Sequence, residues 1–352
     1  SGEVAIEREG RTILARVGLE IRSEDRIVTG ENATVTLAHA SGAIFVLNAD
    51  GEVEVDTVLT EADEPGPPLI HLILGALRAT LSPLTDSKAK SAGVQTPTAI
   101  IGVRGTVFEA AVALDGATAV AVETGAVAVS ADDDETESAI GAGETAEVDP
   151  ERATVTTNRP ADSLRARNWD AWRAERRKTL VNRLPTLSRT FERRFRRLKQ
   201  RMDRTVARIE REAGVIHDML DELEKPAADQ GDGGKTRFAR QLAVRGQRFV
   251  RHSSRYQRQE GRAVAIFRLS SRIDRYLEQS GERIQNVNLA DIRRRLKEIQ
   301  HLGESNRPMV TKTRETIQRT IDRLRAAARK AGSDSARRDG AGNADEAPSS
   351  FR

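Results

Sequence analysis

Cysteine is absent from the 352-residue sequence. Its absence excludes disulfides, thiolate metal sites, iron–sulfur clusters and cysteine nucleophiles, and it suits an oxidising compartment, where a stray thiol is a hazard. Aromatic residues make up 3% of the chain, too few for the rows of stacking platforms that single-stranded nucleic acid uses. No stretch approaches the roughly 18 apolar residues of a membrane span; the longest apolar run, Leu69 to Leu77, is short and carries His71. The histidines His39, His71, His217, His252 and His301 are scattered, and no pair has metal-ligand spacing. His71, inside its apolar run, reads as a packed strand residue. Gly231-Asp232-Gly233-Gly234-Lys235-Thr236 resembles the end of a phosphate-binding loop, but Asp229 stands where the first glycine belongs and no strand precedes it. No catalytic triad follows from spacing. The expectation is a protein without metal or cofactor that is not an enzyme.

The charge is divided. Residues 1–159 hold 11 Lys+Arg against 27 Asp+Glu, a balance of −16; residues 160–352 hold 46 against 26, a balance of +20. The whole-chain value of +4 describes neither half. Fields of opposite sign and this size attract each other or attract separate partners.

Pattern changes at the same point as charge. Over residues 1–157, Val4/Ile6, Ile13, Leu19/Ile21, Val35/Leu37, Ile44/Val46, Val53/Val55, Ile70/Leu72/Leu74, Val120/Val122 and Val127/Val129 alternate with a period near two. Turn residues such as Gly30, Gly42, Asp50-Gly51, Asp115-Gly116 and Gly125 separate them, which predicts an all-β domain of solenoid-like or sandwich type. Asp132-Asp133-Asp134-Glu135 reads as an exposed acidic turn. After Asn158-Arg159-Pro160, residues 161–332 read as a basic helical coiled-coil or bundle region. Asp162 is a candidate cap and Pro185 a break or kink. Leu187, Phe191, Leu198, Met202, Ile209, Ile216, Leu220 and Leu223 then form a heptad seam suited to assembly. Lys225–Thr236 is a linker, and a second long helix carries Phe238 to Leu277, expected to fold back antiparallel on the first. Asn288 caps a third helix and Pro308 opens a fourth. Residues 333–352, almost without apolar side chains, are expected to lack order.

The segment Val94-Gln95-Thr96-Pro97-Thr98-Ala99-Ile100-Ile101-Gly102-Val103-Arg104-Gly105-Thr106-Val107-Phe108-Glu109 sets two glycines around an arginine between β-like runs. It resembles the signature of the FecR domain family, a Thr-Pro-x-Ala run followed by Gly-Val-Arg-Gly-Thr-x-Phe, and the resemblance extends over about residues 4–150. Departures lie in turns, at Glu24-Asp25 and Ser41-Gly42-Ala43. The resemblance implies an extracytoplasmic, periplasmic β domain of a bacterial protein. Regulators of the family carry a membrane span ahead of the domain, which is not seen ahead of Ser1, so a mature or trimmed product is expected; a lipid anchor or membrane-surface attachment belongs to the same expectation. Thr96, Pro97, Ala99, Gly102, Val103, Arg104, Gly105, Thr106 and Phe108 read as fold-setting residues. Arg104 would bridge strand carbonyls and a carboxylate such as Glu109 or Glu123, in preference to binding a carboxylate ligand.

Three functions remain open at this point. The first is an extracytoplasmic scaffold or sensor with protein partners or self-association through the coiled coil. The second is polyanion binding through basic runs such as Arg193-Arg194-Phe195-Arg196-Arg197 and Arg293-Arg294-Arg295; nucleic acid is disfavoured because basic residues surround the helix instead of forming a stripe. The third is a regulator in a transmembrane relay, by family analogy.

Overall fold

A computed structural model describes residues 2–57, 68–81, 93–103, 105–131, 137–158, 168–224, 232–280 and 287–342. Arg104, Asp132–Glu135, Asp162 and residues 343–352 lie outside these.

The β half contains β1 (Val4–Arg8), β2 (Arg11–Leu14), β3 (Arg26–Thr29), β4 (Val35–Ala38), β5 (Ile44–Leu47), β6 (Glu52–Thr57), β7 (Pro68–Thr80), β8 (Gly93–Gln95), β9 (Ile100–Val103), β10 (Val107–Val112), β11 (Thr118–Thr124), β12 (Ala126–Ser130), β13 (Ser138–Gly141), β14 (Thr145–Val148) and β15 (Val155–Asn158). Its axis is β7. The first part of β7 pairs with β6 and β8 in one layer, and the last part with β5 and β10 in a second layer. Gly75 makes the crossing possible: its φ is +101°, and a Cβ there would lie 2.5 Å from the Gly51 Cα. Among the described strands all pairs are antiparallel except β7–β8. These registers form two folded-over layers and not the stacked parallel coils of a solenoid.

Alternation assigns the core. Ile6, Ile27, Val53, Ile70, Leu72, Val94, Ile101 and Val127 point inward from the first layer, to meet Phe45, Leu47, Leu77, Phe108, Val112, Val120 and Val148 from the second. Leu19 and Ile21, expected in a strand, lie in irregular backbone that packs on this core. Asp25 organises that segment: its carboxylate accepts from the Arg22 N–H and from Arg8, which also donates to the Glu20 carbonyl.

Three helices follow: α1 (Trp169–Glu224), α2 (Asp232–Ser280) and α3 (Leu289–Gly342). Asparagine caps two of them. The Asn168 side chain accepts from the Ala171 N–H at 2.9 Å, and Asn288 from the Asp291 N–H at 3.1 Å. α2 starts within the expected linker, and α3 runs on to Gly342, into the segment expected to lack order. Neither proline ends a helix: α1 passes through Pro185 and α3 through Pro308. An interior proline costs about 3 kcal/mol. Leu180, Leu184, Leu187 and Phe191, all fully buried around Pro185, outweigh that locally. The expected third and fourth helices are therefore one.

The chain divides into two compact units that do not follow the composition boundary at 158–160. The first joins the β half with the chain up to Asp203 and with Tyr256–Arg307. The second gathers Arg204–Arg255 with the chain from Pro308 on. In the first unit Arg295 pairs with Glu192 (2.7 Å) and Arg196 with Glu298 (3.1 Å), so α1 and α3 run in the same direction. The second unit repeats that direction: Lys312–Glu210 (3.4 Å), Thr320–His217 (3.1 Å) and Arg323–Asp221 (2.5 Å). There Arg245 of α2 reaches Glu212 of α1 at 3.0 Å. The parallel α1–α3 pairing was not foreseen from the sequence.

Candidate protein-binding site

Within the first unit the helices sit on both outer faces of the β domain. On the second layer, the strands turn small residues outward: Ala76 of β7, Ala111 of β10, Ala119 and Ala121 of β11. A flat alanine floor accepts a large ring, and Trp169 and Trp172, the chain's two tryptophans, lie on it. Their rings meet edge to face with centroids 6.1 Å apart. Trp169 Nε1 donates to Glu109 Oε2 at 2.6 Å, and the Arg176 guanidinium lies 5.6 Å from the Trp172 ring centre.

The β10–β11 hairpin tip is a post driven among the helices. Ala113, Leu114 and Ala117 are buried, and Gly116, with φ +82°, lies so close to Phe191 of α1 and Leu269 of α2 that a Cβ would come within 2.7 Å and 3.1 Å of them. Asp115 is 1% exposed. It accepts from Arg176 Nε at 2.9 Å, from Arg183 Nη1 at 2.6 Å and from the Ala117 N–H at 3.0 Å. Arg176 also reaches Glu147, and Arg183 reaches Asp149 and Glu151. Burial would raise the Asp149 carboxyl, but backbone N–H donors of Arg152 and Glu151, with Arg183 beside it, hold it below the usual range. Two arginines about two helical turns apart on α1 thus hold four carboxylates of the β domain.

The outer face of the first layer is polar. β6 presents Glu52, Glu54 and Asp56, all buried, and Arg26 of β3 lies beside them. Glu52, 0% exposed, accepts from Arg26 at 2.6 Å and from Arg272 of α2 at 2.5 Å. Burial alone would raise its pKa; the two guanidinium groups bring it below the ordinary value instead. Arg268 of α2 faces the same carboxylates and its pKa is lowered, first by burial and then by Arg26. Arg262 donates to the Ala131 carbonyl at 3.2 Å. The −16 and +20 halves therefore meet within one chain.

The residues singled out by the family motif fall at β8, β9 and the turns around them. Thr96 and Thr98 are buried in a hydroxyl cluster with Thr118: Thr96 accepts from the Ala99 N–H at 2.8 Å, lies 2.7 Å from the Thr118 hydroxyl, and Thr98 donates to the Gly116 carbonyl at 2.8 Å. Pro97 is in the buried turn beside them. Ala99, Val103 and Phe108 are in the core, Gly102 lies on β9, and Thr106 donates to the Ala126 carbonyl. Gly105 has φ +64°, a conformation open to glycine. Glu109 and Glu123 are both engaged by Arg78, Glu109 at 3.2 Å. Of the seam residues, Leu187, Phe191, Leu198, Met202, Ile209, Ile216 and Leu220 are buried within this chain, whereas Leu223 is 49% exposed. Many arginines of the basic runs are neutralised: Arg176, Arg196, Arg293, Arg294 and Arg295 each hold a carboxylate of the chain. Among the described residues no cluster of His, Asp and Glu could hold a metal ion, and no helix is long and apolar enough to cross a membrane.

The family model described as "FecR protein" matches residues 25–128, from β3 into β12. The β half carries a FecR domain. Among solved structures, two of a proposed anti-sigma factor from Parabacteroides distasonis are similar. One shares 21% identity over 38% of this chain and 59% of that chain, with a TM-score of 0.31. The other shares 18% identity over 46% and 73%, with a TM-score of 0.33. The chain thus spans about three fifths of the first of these. No curated protein matches. Sequence reasoning read Asp115 only as a turn residue and Arg176 only as part of a basic run, and assigned no role to Arg183 or Glu52. The available signal was the apolar setting Ala113, Leu114 and Ala117 around an Asp-Gly turn, which a solvent-facing turn does not need.

Proposed function

We propose that this protein is a non-enzymatic, extracytoplasmic FecR-domain module that binds other proteins, with its own helices docked on the FecR domain and the outward helix surface available for assembly. The observation that carries this reading is the coverage of both outer faces of the FecR domain by α1 and α2 through Asp115, Glu52 and the Trp169/Trp172 pair. With both outer faces engaged by its own helices, the β domain keeps Leu14, Val17 and Ile44 exposed elsewhere, and this reading assigns partner recognition to the helices. On the second unit Val215, Leu223 and Val244 remain exposed, and they are the positions at which contact with another protein is to be sought. A polyanion reading is weaker, because so many arginines already hold carboxylates.

A photo-crosslinking side chain placed at Leu223 or Val215 in the full chain, exported to the periplasm of a bacterial host, tests this. The expected result is a discrete covalent adduct with a protein, including a second copy of the chain, and none from the buried control at Ile216. Absence of any adduct at both exposed positions, with the protein intact in the periplasmic fraction, would contradict the proposal.

A further inference from the structure

The two docked faces are not equally well satisfied. On the first layer, His71 of β7 and Gln95 of β8 are register partners, 2% and 1% exposed. His71 Nδ1 and both amide atoms of Gln95 have no hydrogen-bond partner among the described residues, nor has Gln259 Oε1 of α2. Gly261 of α2 lies directly on this pair. A Cβ at that position would stand 1.9 Å from His71 Cε1, 2.3 Å from its Nδ1 and 2.6 Å from Gln95 Oε1. Alongside runs the alternation Glu52-Val53-Glu54-Val55-Asp56, whose outward carboxylates are the chemistry of a sheet face that meets water. Here they are buried under Arg268 and Arg272. Natural interiors pair nearly all such atoms; a face that keeps several unpaired is one whose cover can leave.

We propose that the His71/Gln95/Glu52 face is a docking surface for an arginine-bearing helix, closed in cis by the Tyr256–Leu277 segment of α2, and that its competing occupant is the same segment of a second copy. This rests on the protein-binding reading above and supplies its mode of assembly. The fit argues for a second copy over an unrelated helix. A ligand helix must bring a residue without a side chain against His71 and, three turns later, a guanidinium against Glu52. Segment 256–277 does both, and its five arginines against Glu260 and Asp274 give it the sign the face requires. Exchange of one identical segment for another conserves every contact, so closed monomer and exchanged assembly differ little in contact energy and concentration decides between them.

The test titrates a fluorescent Tyr256–Leu277 peptide with the full chain, and follows hydrogen exchange on the same samples. Gly261→Ala cannot seat its own α2, so it should bind the wild-type peptide about tenfold more tightly than the parent does, with faster exchange in β6–β8 and unchanged protection in β10–β11. Gln95→Leu removes unpaired amide atoms, so it should hold α2 more firmly, slow exchange in β7–β8 and weaken peptide binding. A peptide carrying Arg272→Glu should not bind. The proposal is overturned if β6–β8 stays protected in Gly261→Ala, or if that face opens and the peptide binds no better. Should Gly261→Ala lose protection in β10–β11 as well, the decision passes to Gln95→Leu, where equal or faster β7–β8 exchange overturns it. A protein adduct at Leu223 together with failure here would remove the exchange mechanism and leave the function reading standing.

Discussion

The two places where the helices grip the β domain use the same chemistry with different completeness. At Asp115 a buried carboxylate has two guanidinium partners and a backbone N–H, and its hairpin tip is wedged against Phe191 and Leu269. At Glu52 the carboxylate is equally buried and also holds two guanidinium groups, yet its neighbours His71 and Gln95 leave polar atoms without partners. Each unpaired buried group costs about 1–3 kcal/mol. Equal numbers of arginines therefore do not make equal joints: Asp115, Arg176 and Arg183 leave no buried side-chain atom without a partner among the described residues, whereas the second joint retains a standing cost that favours opening.

The comparison can be broken at the strong joint first. Asp115→Ala should lower stability by about 3 kcal/mol, because Arg176 and Arg183 lose their shared partner and the turn loses its N–H acceptor; chemical denaturation of the full chain measures this. Gly116→Ala should cost about 2 kcal/mol, from the positive φ and from the approach of its Cβ to Phe191. At the weaker joint, Arg272→Ala should cost about 1 kcal/mol, since Arg26 still holds Glu52. If Arg272→Ala proves as damaging as Asp115→Ala, the distinction between the joints fails. Arg78→Ala, on an exposed pair with Glu109 and Glu123, should change stability by less than about 1 kcal/mol.

Acid sharpens the comparison from another side. Asp25, Glu52 and Asp149 are all held below their ordinary pKa in the folded chain. A depressed folded pKa contributes stability that is complete above the unfolded value and is lost as pH falls through the folded one. Denaturation midpoints should thus begin a small decline below about 6.5, where His39, His217 and His252, each held below its ordinary pKa first by burial, resist protonation in the folded chain, and fall further below about 4 as the carboxylates protonate. A midpoint that rises on acidification would contradict these pairings.

Much of the β architecture was legible because alternation and turn chemistry are local. Ile70/Leu72, Val120/Val122 and Val127/Val129 fall on β7, β11 and β12, and Asn288 caps α3 as its position suggests. The motif from Thr96 to Phe108 identified the domain. What could not be read was which surface each element would meet. Glu52-Val53-Glu54-Val55-Asp56 has the pattern of a strand with one wet face, and only the arginines of α2, more than 200 residues away, bury it. Asp115-Gly116 has the composition of an exposed turn and becomes a buried post. Pro185 is a helix breaker by local rule, overruled by Leu180, Leu184, Leu187 and Phe191 packed on both sides of it, and Pro308, expected to open a helix, lies inside one. The heptad seam was visible, but its parallel partner α3 was not, because a seam records that a partner exists and not which one.

The central claim is that the FecR domain and the near parts of the helices fold as one body, joined by acidic faces and arginines. Thermal unfolding of the full chain against a fragment ending at Asn158 tests it most directly. The fragment would expose Asp115, Glu52, His71 and the alanine floor under Trp169. The account predicts that it keeps a β-type circular dichroism spectrum but melts about 10 °C or more below the intact protein. A fragment that melts at the temperature of the β signal in the full chain would contradict it.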